Sequence, residues 1–513
     1  MSDKKRLIIA LDIGTSVLKT GLFDLNGDLI QIETREQEFV HSNGDWFEQN
    51  PDITWGLIKD SVHSLVKTHD YHSIEAITIT VQRGSVIALD SNGEALSNLI
   101  VWMDKRGRDY VQHVNQIIGE ERYYTTAGHS ISYITGASKV LWFQSEAKEI
   151  FEQCAVIGSP QTYFLKRLGS DGLVIDCSSA TYHFPLNIDL KSWSQEIAHE
   201  LNFPLKKLPQ IVSAVDIVGH LPQSVAQELG LQEGIPIIAG GGDGQCAAAG
   251  SGAIVPGICM INIGTGAGIQ FYLDEPTRDP RMIFSCSGHV VSNGWESEGH
   301  TQASGAVLRW VRDELGYSDC LSEGEDGYDN LVDEAMLAPP AAKGLMFLPT
   351  FNGCTVPQQV PEAKGCFLGL SLNHKKSHII RAVLEGITLE IKWILESFKG
   401  TFASIDEIRL VGGGSKNINW NQIHADILGH PVYTVQSPDA AMVGCAMCAA
   451  VGLGEYPNLV DASKHFVQIM DMFTPRSENK AIYQVLFKDY VNAFKQIAQS
   501  NIHKDVEKRI GMS

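Results

Sequence analysis

The chain has 513 residues and a formal net charge of −20 at pH 7. This length corresponds to roughly two to four domains, and a hydrophobic fraction of 44% supplies enough apolar side chains for packed cores. A strongly acidic chain repels nucleic acid and anionic lipid, so we expect neither a nucleic acid nor a membrane as partner. The charge does not exclude a nucleotide, because backbone N–H groups and a divalent cation can hold a small polyphosphate.

The sequence contains no segment that approaches the roughly 18 uninterrupted apolar residues of a membrane span. The basic residues 1–6 and the apolar residues 7–11 resemble the start of a signal peptide. Asp12 ends the apolar run early, so we interpret residues 7–11 as a strand. Among the ten cysteines, Cys445 and Cys448 fall in an Ala/Met-rich run that predicts a buried helix. We therefore expect reduced thiols and no structural zinc in a cytoplasmic protein.

The N-terminal region predicts a β-β-β-α-β order of elements. We expect strands at about residues 7–12, 18–24, 28–38, 74–80 and 85–90. Asn26-Gly27 stands between two of these strands and is a strong hairpin signal, because both residues tolerate positive φ. Asn50 is expected to cap a helix that has Pro51 at its first position and runs to about His69. Apolar residues recur along this helix at helical spacing, at Ile53, Leu57, Val62, Leu65 and Val66.

A similar plan restarts past the midpoint of the chain. Residues 257–275 predict a strand, a Gly-Thr-Gly turn and a second strand. Further elements are expected as a strand near 284–291, a helix at 302–315, a surface loop at 318–329, a strand at 407–414 and a helix at about 419–428. We place the domain boundary between the glycine run 240–243 and Pro256, which gives domains 1–248 and 249–513.

Several nucleotide-binding and catalytic signatures are absent from the sequence. There is no GxxxxGK[ST] phosphate loop, no GxGxxG fingerprint after the first strand and no GxSxG nucleophile elbow. The sequence therefore excludes a P-loop protein, and it disfavours an NAD-linked oxidoreductase.

Two turns made of glycine and hydroxyl residues, one in each half, carry the first chemical signal. They are Asp12-Ile13-Gly14-Thr15-Ser16 and Asn262-Ile263-Gly264-Thr265-Gly266. Glycine lets the backbone turn sharply, so that successive N–H groups converge on an anion. Each turn alone fits an ordinary hairpin. The pair, together with the glycines 412–414 at a strand end, predicts two phosphate-binding hairpins and a loop that contacts adenosine.

Three charged residues near these turns and strand ends are candidates for the chemistry. Asp12 is expected to bind Mg²⁺, directly or through water. Lys19 has two interpretations that stay open, a phosphate contact or a solvated lysine on a strand. Asp243 follows an apolar strand that ends in glycines 240–242. Such a carboxylate can accept the proton that an alcohol loses as it attacks a γ-phosphate; the alternative is a turn aspartate at a hinge.

Longer motifs link these features to one family. The run Gly365-Cys366-Phe367-Leu368-Gly369-Leu370 is followed seven residues later by His378-Ile379, and two residues after that by Ala382-Val383-Leu384-Glu385. This spacing fits the C-terminal signature of the FGGY carbohydrate kinases, within the actin/hexokinase/heat-shock chaperone superfamily. Residues 139–142 resemble the core of the N-terminal signature, with one extra residue before the lysine. Residues 44–55 are similar to the family's Trp-x-Glu-Gln-x-Pro segment near the sugar pocket.

The resemblance implies ATP-dependent phosphorylation of a small sugar, polyol or sugar acid, with ATP and Mg²⁺ as cofactors. It implies two actin-like (ribonuclease H-like) α/β domains with the nucleotide and substrate cleft between them, and it gives Asp243 the role of general base. The ATP-binding residues that it implies are Gly14, Thr15, Ser16, Lys19, Gly264, Thr265, Gly305, Arg309, Gly413, Gly414 and Asn417. The assembly stays open, with a homodimer as one option.

The resemblance also implies where the acceptor binds. The implied substrate residues are Gln82, Arg83, Trp102, Asp104 and Asp243. Glycerol kinases read Gln-Arg-Glu-Thr at the first of these segments, so Gly84 removes an acceptor for glycerol. Many xylulokinases read Gln-Met-His-Gly there. Arg83 is a planar, permanent cation that could hold a sugar acid's carboxylate or hydroxyls, or could pair with Asp104.

We expect the acceptor to be a ketopentose such as D-xylulose. The alternatives are gluconate, a glycerol- or erythritol-type polyol, and autoinducer-2. An ATPase of the actin/chaperone superfamily that transfers no phosphate to sugar is the alternative from another functional class.

Overall fold

The computed structural model describes residues 6–42, 44–69, 71–315, 327–399, 401 and 404–500. The chain divides into two compact units, each assembled from separate stretches of sequence. The first unit comprises Met1–Val255, Tyr272–Ser297 and Asp439–Gln468, and the second comprises Pro256–Phe271, Glu298–Pro438 and Ile469–Ser513. The functional domains 1–248 and 249–513 stay a prediction. In the described part of the chain, none of the helices has the length and apolar character needed to cross a membrane.

The strands are β1 (Leu7–Ile13), β2 (Val17–Asp24), β3 (Leu29–Glu36), β4 (Val40–Ser42), β5 (Trp46–Gln49), β6 (Ile74–Val81), β7 (Ile87–Leu89), β8 (Leu99–Ile100), β9 (Val156–Gly158), β10 (Val174–Asp176), β11 (Leu186–Asn187), β12 (Ser192–Trp193), β13 (Gln210–Val212), β14 (Ile217–His220), β15 (Pro236–Gly242), β16 (Ile258–Ile263), β17 (Ala267–Leu273), β18 (Ser285–Gly288), β19 (Trp295–Thr301), β20 (Met346–Leu348), β21 (Cys366–Leu368), β22 (Glu407–Val411), β23 (Val432–Val435) and β24 (Ile469–Phe473).

The helices are α1 (Pro51–Val66), α2 (Arg108–Ile117), α3 (Glu120–Ala127), α4 (Gly136–Ser145), α5 (Lys148–Gln153), α6 (Pro160–Leu168), α7 (Cys177–Thr181), α8 (Gln195–Glu200), α9 (Gln223–Leu229), α10 (Asp243–Ser251), α11 (Gly305–Glu314), α12 (Tyr328–Met336), α13 (Lys376–Phe398), α14 (Ile418–Leu428), α15 (Ala440–Gly452), α16 (Leu459–Phe466) and α17 (Ser477–Gln499).

A six-stranded sheet in the order β14-β15-β6-β1-β2-β3 forms the centre of the first unit. β1 pairs antiparallel with β2 and parallel with β6, and β6 pairs in parallel with β15. β1 and β6 are almost entirely buried apolar runs, as strands covered on both faces are. Ile13 and Gly242 both align with Val81, so the residues that follow these three strands emerge at one edge of the sheet.

The second unit repeats this arrangement around β16. Its strands follow the order β17-β16-β22-β23-β24. β16 pairs antiparallel with β17 and parallel with β22, and Asn262 aligns with Val411. The Gly-Thr-Gly turn after β16 and the glycine run after β22 therefore begin at the same edge of this sheet, which agrees with the repeated plan read from the sequence.

Helix α1 begins at the residues predicted from the sequence. Asn50 caps it, since its side-chain oxygen accepts hydrogen bonds from the N–H groups of the second and third helical residues, and Pro51 is the first residue. The helix ends at Val66 rather than near residue 69. Ile53 is 51% exposed, while Trp55 is buried at 2%. Ile53 therefore lies off the buried stripe that holds Trp55, Val62 and Leu65, because positions 53 and 55 lie about 200° apart on a helix.

Other predicted elements are shorter than expected. The strand predicted at 85–90 is limited to β7, the strand predicted near 284–291 is limited to β18, and the helix predicted from residue 302 begins at Gly305. The hairpin turn at Asn26-Gly27 is confirmed, and Gly27 takes the positive φ of 95° that such a turn needs. Most of the loop predicted at 318–329 lies outside the described residues.

Two helices of small residues, α10 and α15, approach closely inside the first unit. A Cβ atom added at Gly444 would lie 1.9 Å from the carbonyl oxygen of Cys246, and one added at Gly250 would lie 1.9 Å from the carbonyl oxygen of Ala440. α15 is buried along most of its length, as the Ala/Met-rich run predicted. Glycine is therefore required at this crossing, because even a methyl group would force the backbones apart.

Gly444→Ala should lower the free energy of unfolding by at least about 2 kcal/mol, because the added methyl group overpacks the crossing of α10 and α15. Gly56→Ala is the matched control: Gly56 also lies in a helix, and a Cβ atom there meets no atom within 4 Å. That substitution should stabilise the protein by about 0.5 to 1 kcal/mol through helix propensity. Chemical denaturation of both variants measures the difference, and equal stabilities would contradict the close packing.

A carboxyl group is buried without a partner on the long helix α13 of the second unit. Glu390 is 2% exposed, and its Oε2 atom makes no hydrogen bond. Burial raises the pKa of Glu390 to about 8. The folded protein therefore holds a proton on Glu390 at pH values where the unfolded chain has released it.

Glu390→Gln should gain stability relative to the wild type as the pH rises. Since the folded pKa lies above the unfolded one, the wild-type carboxyl stabilises the fold at low pH and loses this contribution as pH rises through the folded value of about 8. Between pH 6 and pH 9 the difference between the two proteins should shift by about 2 kcal/mol in favour of the glutamine variant. Denaturation at several pH values checks this; a pH-independent difference would show that Glu390 is ionised in the folded state.

Candidate active site

The first phosphate-type turn joins β1 to β2 and is held by hydrogen bonds from neighbouring segments. The Thr15 hydroxyl donates to Gln82 Oε1 at 3.0 Å and accepts from Trp102 Nε1 at 2.9 Å. Gln49 Nε2 donates to the Thr15 carbonyl at 2.7 Å. Ser16 is exposed, so its hydroxyl is presented to solvent, whereas the hydroxyl of Thr15 fixes the turn.

Gln82 lies inside this network rather than at an open surface. Its side chain is 2% exposed. Its Oε1 also accepts from Ser85 at 3.1 Å, and its Nε2 donates to Gln49 Oε1 at 2.8 Å. The geometry connects Gln82 to the turn at Thr15 and to Trp102, and the predicted contact of Gln82 to a substrate stays a prediction.

Asp12, at the end of β1, belongs to a group of like charges in the first unit. The pKa of Asp12 is raised to about 7, chiefly by burial; Lys19 opposes the shift, and the carboxylates of Asp243 and Asp439 contribute to it. Lys19 forms an ion pair with Asp439. Lys19 is therefore a partly exposed strand lysine that is paired with a carboxylate, and its contact to phosphate stays a prediction.

This excess of negative charge fits a divalent cation beside Asp12. Within the described ranges, no group of three or more His, Cys, Asp or Glu side chains could hold a metal ion by itself. Mg²⁺ often binds through one or two carboxylates and takes its other ligands from water and substrate phosphates. A single partly buried carboxylate with a raised pKa, next to two further carboxylates, matches that mode of binding.

Asp243 begins helix α10 directly after the glycine end of β15. Gly240 has a φ of 65°, and a Cβ atom there would lie 1.8 Å from a carbonyl oxygen of β6. The Asp243 side chain is 43% exposed and its Oδ1 accepts from Arg83 Nε at 3.1 Å. The Arg83 guanidinium lies 4.5 Å from the centroid of the Tyr182 ring. An oriented and accessible carboxylate thus stands at the first residue of α10.

Asp104 is fully buried and paired with a different arginine from the one we considered. Its side chain is 0% exposed, and it accepts hydrogen bonds from Arg106 Nε and Nη2, both at 2.9 Å, and from the backbone N–H of Phe47 at 2.7 Å. The alternative in which Asp104 pairs with Arg83 is wrong. Arg106 is closer in sequence and stacks on Trp46, 4.1 Å from the ring centroid. A substrate contact to Asp104 stays a prediction and would need this buried pair to open.

In the second unit, the turn after β16 is fixed on the start of helix α11. The Gly305 N–H donates to the Gly264 carbonyl at 2.9 Å, and the N–H groups of Ser304 and Ala306 donate to the Thr265 carbonyl at 2.8 and 3.1 Å. A Cβ atom at Gly305 would lie 2.5 Å from the Gly264 oxygen. Glycine at position 305 therefore allows the turn and the helix to make contact.

A cavity of about 340 Å³ opens beside this turn. Its lining residues are Ile263, Gly264, Thr265, Gly305, Leu308, Arg309, Tyr328, Asp329, Val332, Gly413, Gly414, Lys416, Asn417 and Trp420. Seven of these were predicted as ATP-binding residues from separate segments of the sequence, and the fold brings all seven to one cavity. Its volume lies in the range of small-molecule sites.

Several residues of these sites were not found from the sequence. Trp420 lines the cavity because Asn417 caps α14 by accepting from its N–H group at 3.1 Å, and that helix start was the available signal. Asp439 directly precedes the helix that the sequence did predict, but 420 residues separate it from Lys19. Tyr182 carries no local signal that places it on Arg83.

The fold and the site together indicate the actin-like class of phosphotransferases. Each of the two α/β units presents a glycine turn after its first strand. The first unit adds an accessible aspartate, and the second adds a cavity. Models described as the N-terminal and C-terminal domains of the FGGY family of carbohydrate kinases match residues 7–250 and 259–453. The chain therefore belongs to the FGGY family of carbohydrate kinases, and the predicted family, α/β fold class and kinase activity are confirmed.

Similar proteins within the family carry different substrate names. A xylulose kinase of Bacillus subtilis is 27% identical over 492 residues, covering 95% of this chain and 97% of that protein. A gluconokinase of the same organism is 27% identical over 489 residues, covering 94% and 95%. The crystal structure of a ligand-bound xylulose kinase from Lactobacillus acidophilus superposes with a TM-score of 0.88 at 26% identity, covering 96% and 98%. Sequence identity alone therefore does not show whether the acceptor of this kinase is a ketose or a sugar acid.

Asp104→Ala should reduce stability strongly, because it removes one of the two carboxylates that pair with the buried Arg106, leaving only Glu48, and takes away the acceptor of the Phe47 N–H group. Removing one member of a buried ion pair costs about 3 to 5 kcal/mol. Asp45→Ala is the matched control, since Asp45 is 57% exposed where it pairs with Lys105 at 2.8 Å, and exposed pairs contribute little. If thermal denaturation showed equal effects for both variants, the structural role of Asp104 would be refuted.

Proposed function

We propose that this sugar kinase transfers the γ-phosphoryl group of ATP to a hydroxyl of a ketopentose such as D-xylulose, with Asp243 as the general base. The observation that carries the proposal is the accessible Asp243 carboxylate, fixed at the end of a glycine strand and oriented by Arg83 at 3.1 Å. A kinase needs one such proton acceptor, because the alcohol must lose its proton as it attacks phosphorus.

The reaction assigns a defined task to each group in the first unit. A carboxylate oxygen of Asp243 accepts the hydroxyl proton, the substrate oxygen forms a bond to the γ-phosphorus, and the bond from that phosphorus to the β-phosphate oxygen breaks to release ADP. Asp12 would hold Mg²⁺, which neutralises charge on the phosphates when bound. Ser16 and the N–H groups of the turn at Gly14 would donate to phosphate oxygens, and Lys19 would add a positive charge.

We assign the cavity of the second unit to the nucleotide. Gly264 and Thr265 would contact phosphate, and Gly305 and Arg309 would border it at the start of α11. Gly413, Gly414 and Asn417 would contact the adenosine, as the resemblance implied. The support is that these residues, predicted from three separate sequence segments, line one cavity of about 340 Å³. The two family models meet between residues 250 and 259, which supports the proposed domains 1–248 and 249–513.

Two observations bear on the acceptor. Gly84 has a φ of 75°, and a Cβ atom there would lie 2.5 Å from the Ile134 carbonyl oxygen. The glutamate that glycerol kinases carry therefore does not fit at this position, which disfavours glycerol. Gluconate is the second candidate, because Arg83 supplies a fixed cation beside Asp243 and one similar protein is a gluconokinase. We place the reaction in the cytoplasm, where ATP is supplied.

Asp243→Asn should lower kcat by a factor on the order of 100 to 10,000, because it removes the proton acceptor and keeps the shape of the side chain. ATP should still bind, since the proposed nucleotide residues lie elsewhere. A coupled assay of ADP release with D-xylulose, gluconate, glycerol, erythritol and autoinducer-2 measures both the acceptor and the loss.

The outcomes of this assay separate the candidate functions. Turnover with D-xylulose that exceeds turnover with gluconate supports the ketopentose, and the reverse order identifies a sugar acid kinase. ATP turnover that does not depend on any acceptor would favour the ATPase alternative. Near-normal transfer by the asparagine variant would show that Asp243 is not the base.

A further inference from the structure

A buried pair of side chains holds the backbone immediately before Asp243. The Gly242 N–H donates to the Ser178 hydroxyl oxygen at 2.9 Å. Ser178 is 0% exposed and lies at the start of the short helix α7, far from Asp243 in the sequence. This contact is a side-chain anchor on the peptide group that leads into the proposed base.

Asp176 fixes the direction of that anchor. The Ser178 hydroxyl donates to Asp176 Oδ2 at 2.6 Å, and the same carboxylate accepts from the N–H groups of Ser178 at 2.7 Å and Ser179 at 3.0 Å. A hydroxyl has one proton and two lone pairs. Because its proton is committed to a carboxylate, a lone pair of Ser178 is directed at the Gly242 N–H, in a charge-assisted chain.

The strand end needs such an anchor. The register between β15 and β6 shifts between Ile238 and Gly241, at the point where Gly240 takes a positive φ. Gln161 links this irregular region to Asp176. Its Nε2 donates to the Ala239 carbonyl at 2.9 Å, and its Oε1 accepts from the Asp176 N–H at 2.9 Å. Asp176 is thus tied to the strand before Gly240, through Gln161 and Ala239, and after it, through Ser178 and Gly242.

We propose that Asp176 and Ser178 form a positioning pair for the catalytic base: they hold the Gly242 peptide so that the Asp243 carboxylate meets the acceptor hydroxyl. Both side chains are 0% exposed, so they act through Asp243 and do not touch substrate. The proposal rests on the proposed function of Asp243. It extends the functional site by a segment, residues 176–178, in which the sequence motifs indicated no chemistry.

Ser178→Ala tests the pair, and the chain offers a matched control in the next residue. Ser179 is 3% exposed in the same helix, and its hydroxyl oxygen makes no hydrogen bond. Ser178→Ala should lower kcat about 10- to 100-fold, the loss expected from a displacement of about 1 Å, and should leave the KM for ATP unchanged. Ser179→Ala should stay within about twofold of the wild type, since the Ser179 hydroxyl makes no hydrogen bond to the strand that leads into Asp243.

A second comparison separates positioning from general stability. If Ser178 acts through the base, Ser178→Ala should add no further loss when Asp243 is already asparagine, so the double variant should turn over as Asp243→Asn does. Long incubations measure these low rates. An equal fold-loss in both backgrounds, or a kcat for Ser178→Ala like that of Ser179→Ala, would overturn the proposal.

The same experiment distinguishes failure of the pair from failure of the proposed function. If Asp243→Asn alone kept near-normal transfer, the assignment of Asp243 as the base would be wrong, and so would the positioning role of Asp176 and Ser178. If Ser178→Ala did not fold by circular dichroism, Asp176→Asn would replace it, since it keeps the volume and removes the charge from the chain of hydrogen bonds. Its predicted result is the same loss of kcat without a change in the KM for ATP, and an unchanged kcat would overturn the pair.

Discussion

The crowding of like charges at one edge of the first sheet is the constraint on which the rest of this structure depends. Burial raises the pKa of Asp12, the carboxylates of Asp243 and Asp439 lie close enough to add to that rise, and Lys19 offsets only part of the effect. Such an arrangement is unfavourable for stability alone. The arrangement is explained if a metal ion and a polyphosphate bind at this edge, because the cation would neutralise the carboxylates and the phosphates would complete its coordination.

Glycine is the second requirement, because the charged groups come together only where backbones approach closely. Gly240 and Gly242 let β15 pass beside β6 and Arg83, and Gly305 lets a helix start against the second turn. Gly444 likewise lets helices α10 and α15 cross closely in the core. These positions hold the proposed base, the cavity that we assign to the nucleotide and the acidic residue Asp439 in place, so these glycines are tied to the proposed chemistry.

The sequence could predict much of this, but only what local patterns encode. The turns at Gly14 and Gly264 and the aspartate after three glycines have short, recognisable patterns, and the structure has them where expected. Burial was harder to predict. Asp104 was expected to contact the substrate, but its side chain is 0% exposed and is paired with Arg106. The sequence did not indicate this burial, because the surroundings of Asp104 come from segments distant in the sequence. The ion pair of Lys19 with Asp439 likewise spans 420 residues, and no local pattern reports such a contact.

A crystal structure with the acceptor and a non-hydrolysable ATP analogue would test the central claim most directly. The account predicts that the hydroxyl to be phosphorylated lies about 2.6 to 3.2 Å from a carboxylate oxygen of Asp243, the distance that proton transfer requires. It also predicts that this oxygen faces the γ-phosphorus. A complex in which Asp243 points away from the acceptor, while another group contacts the reacting hydroxyl, would contradict it.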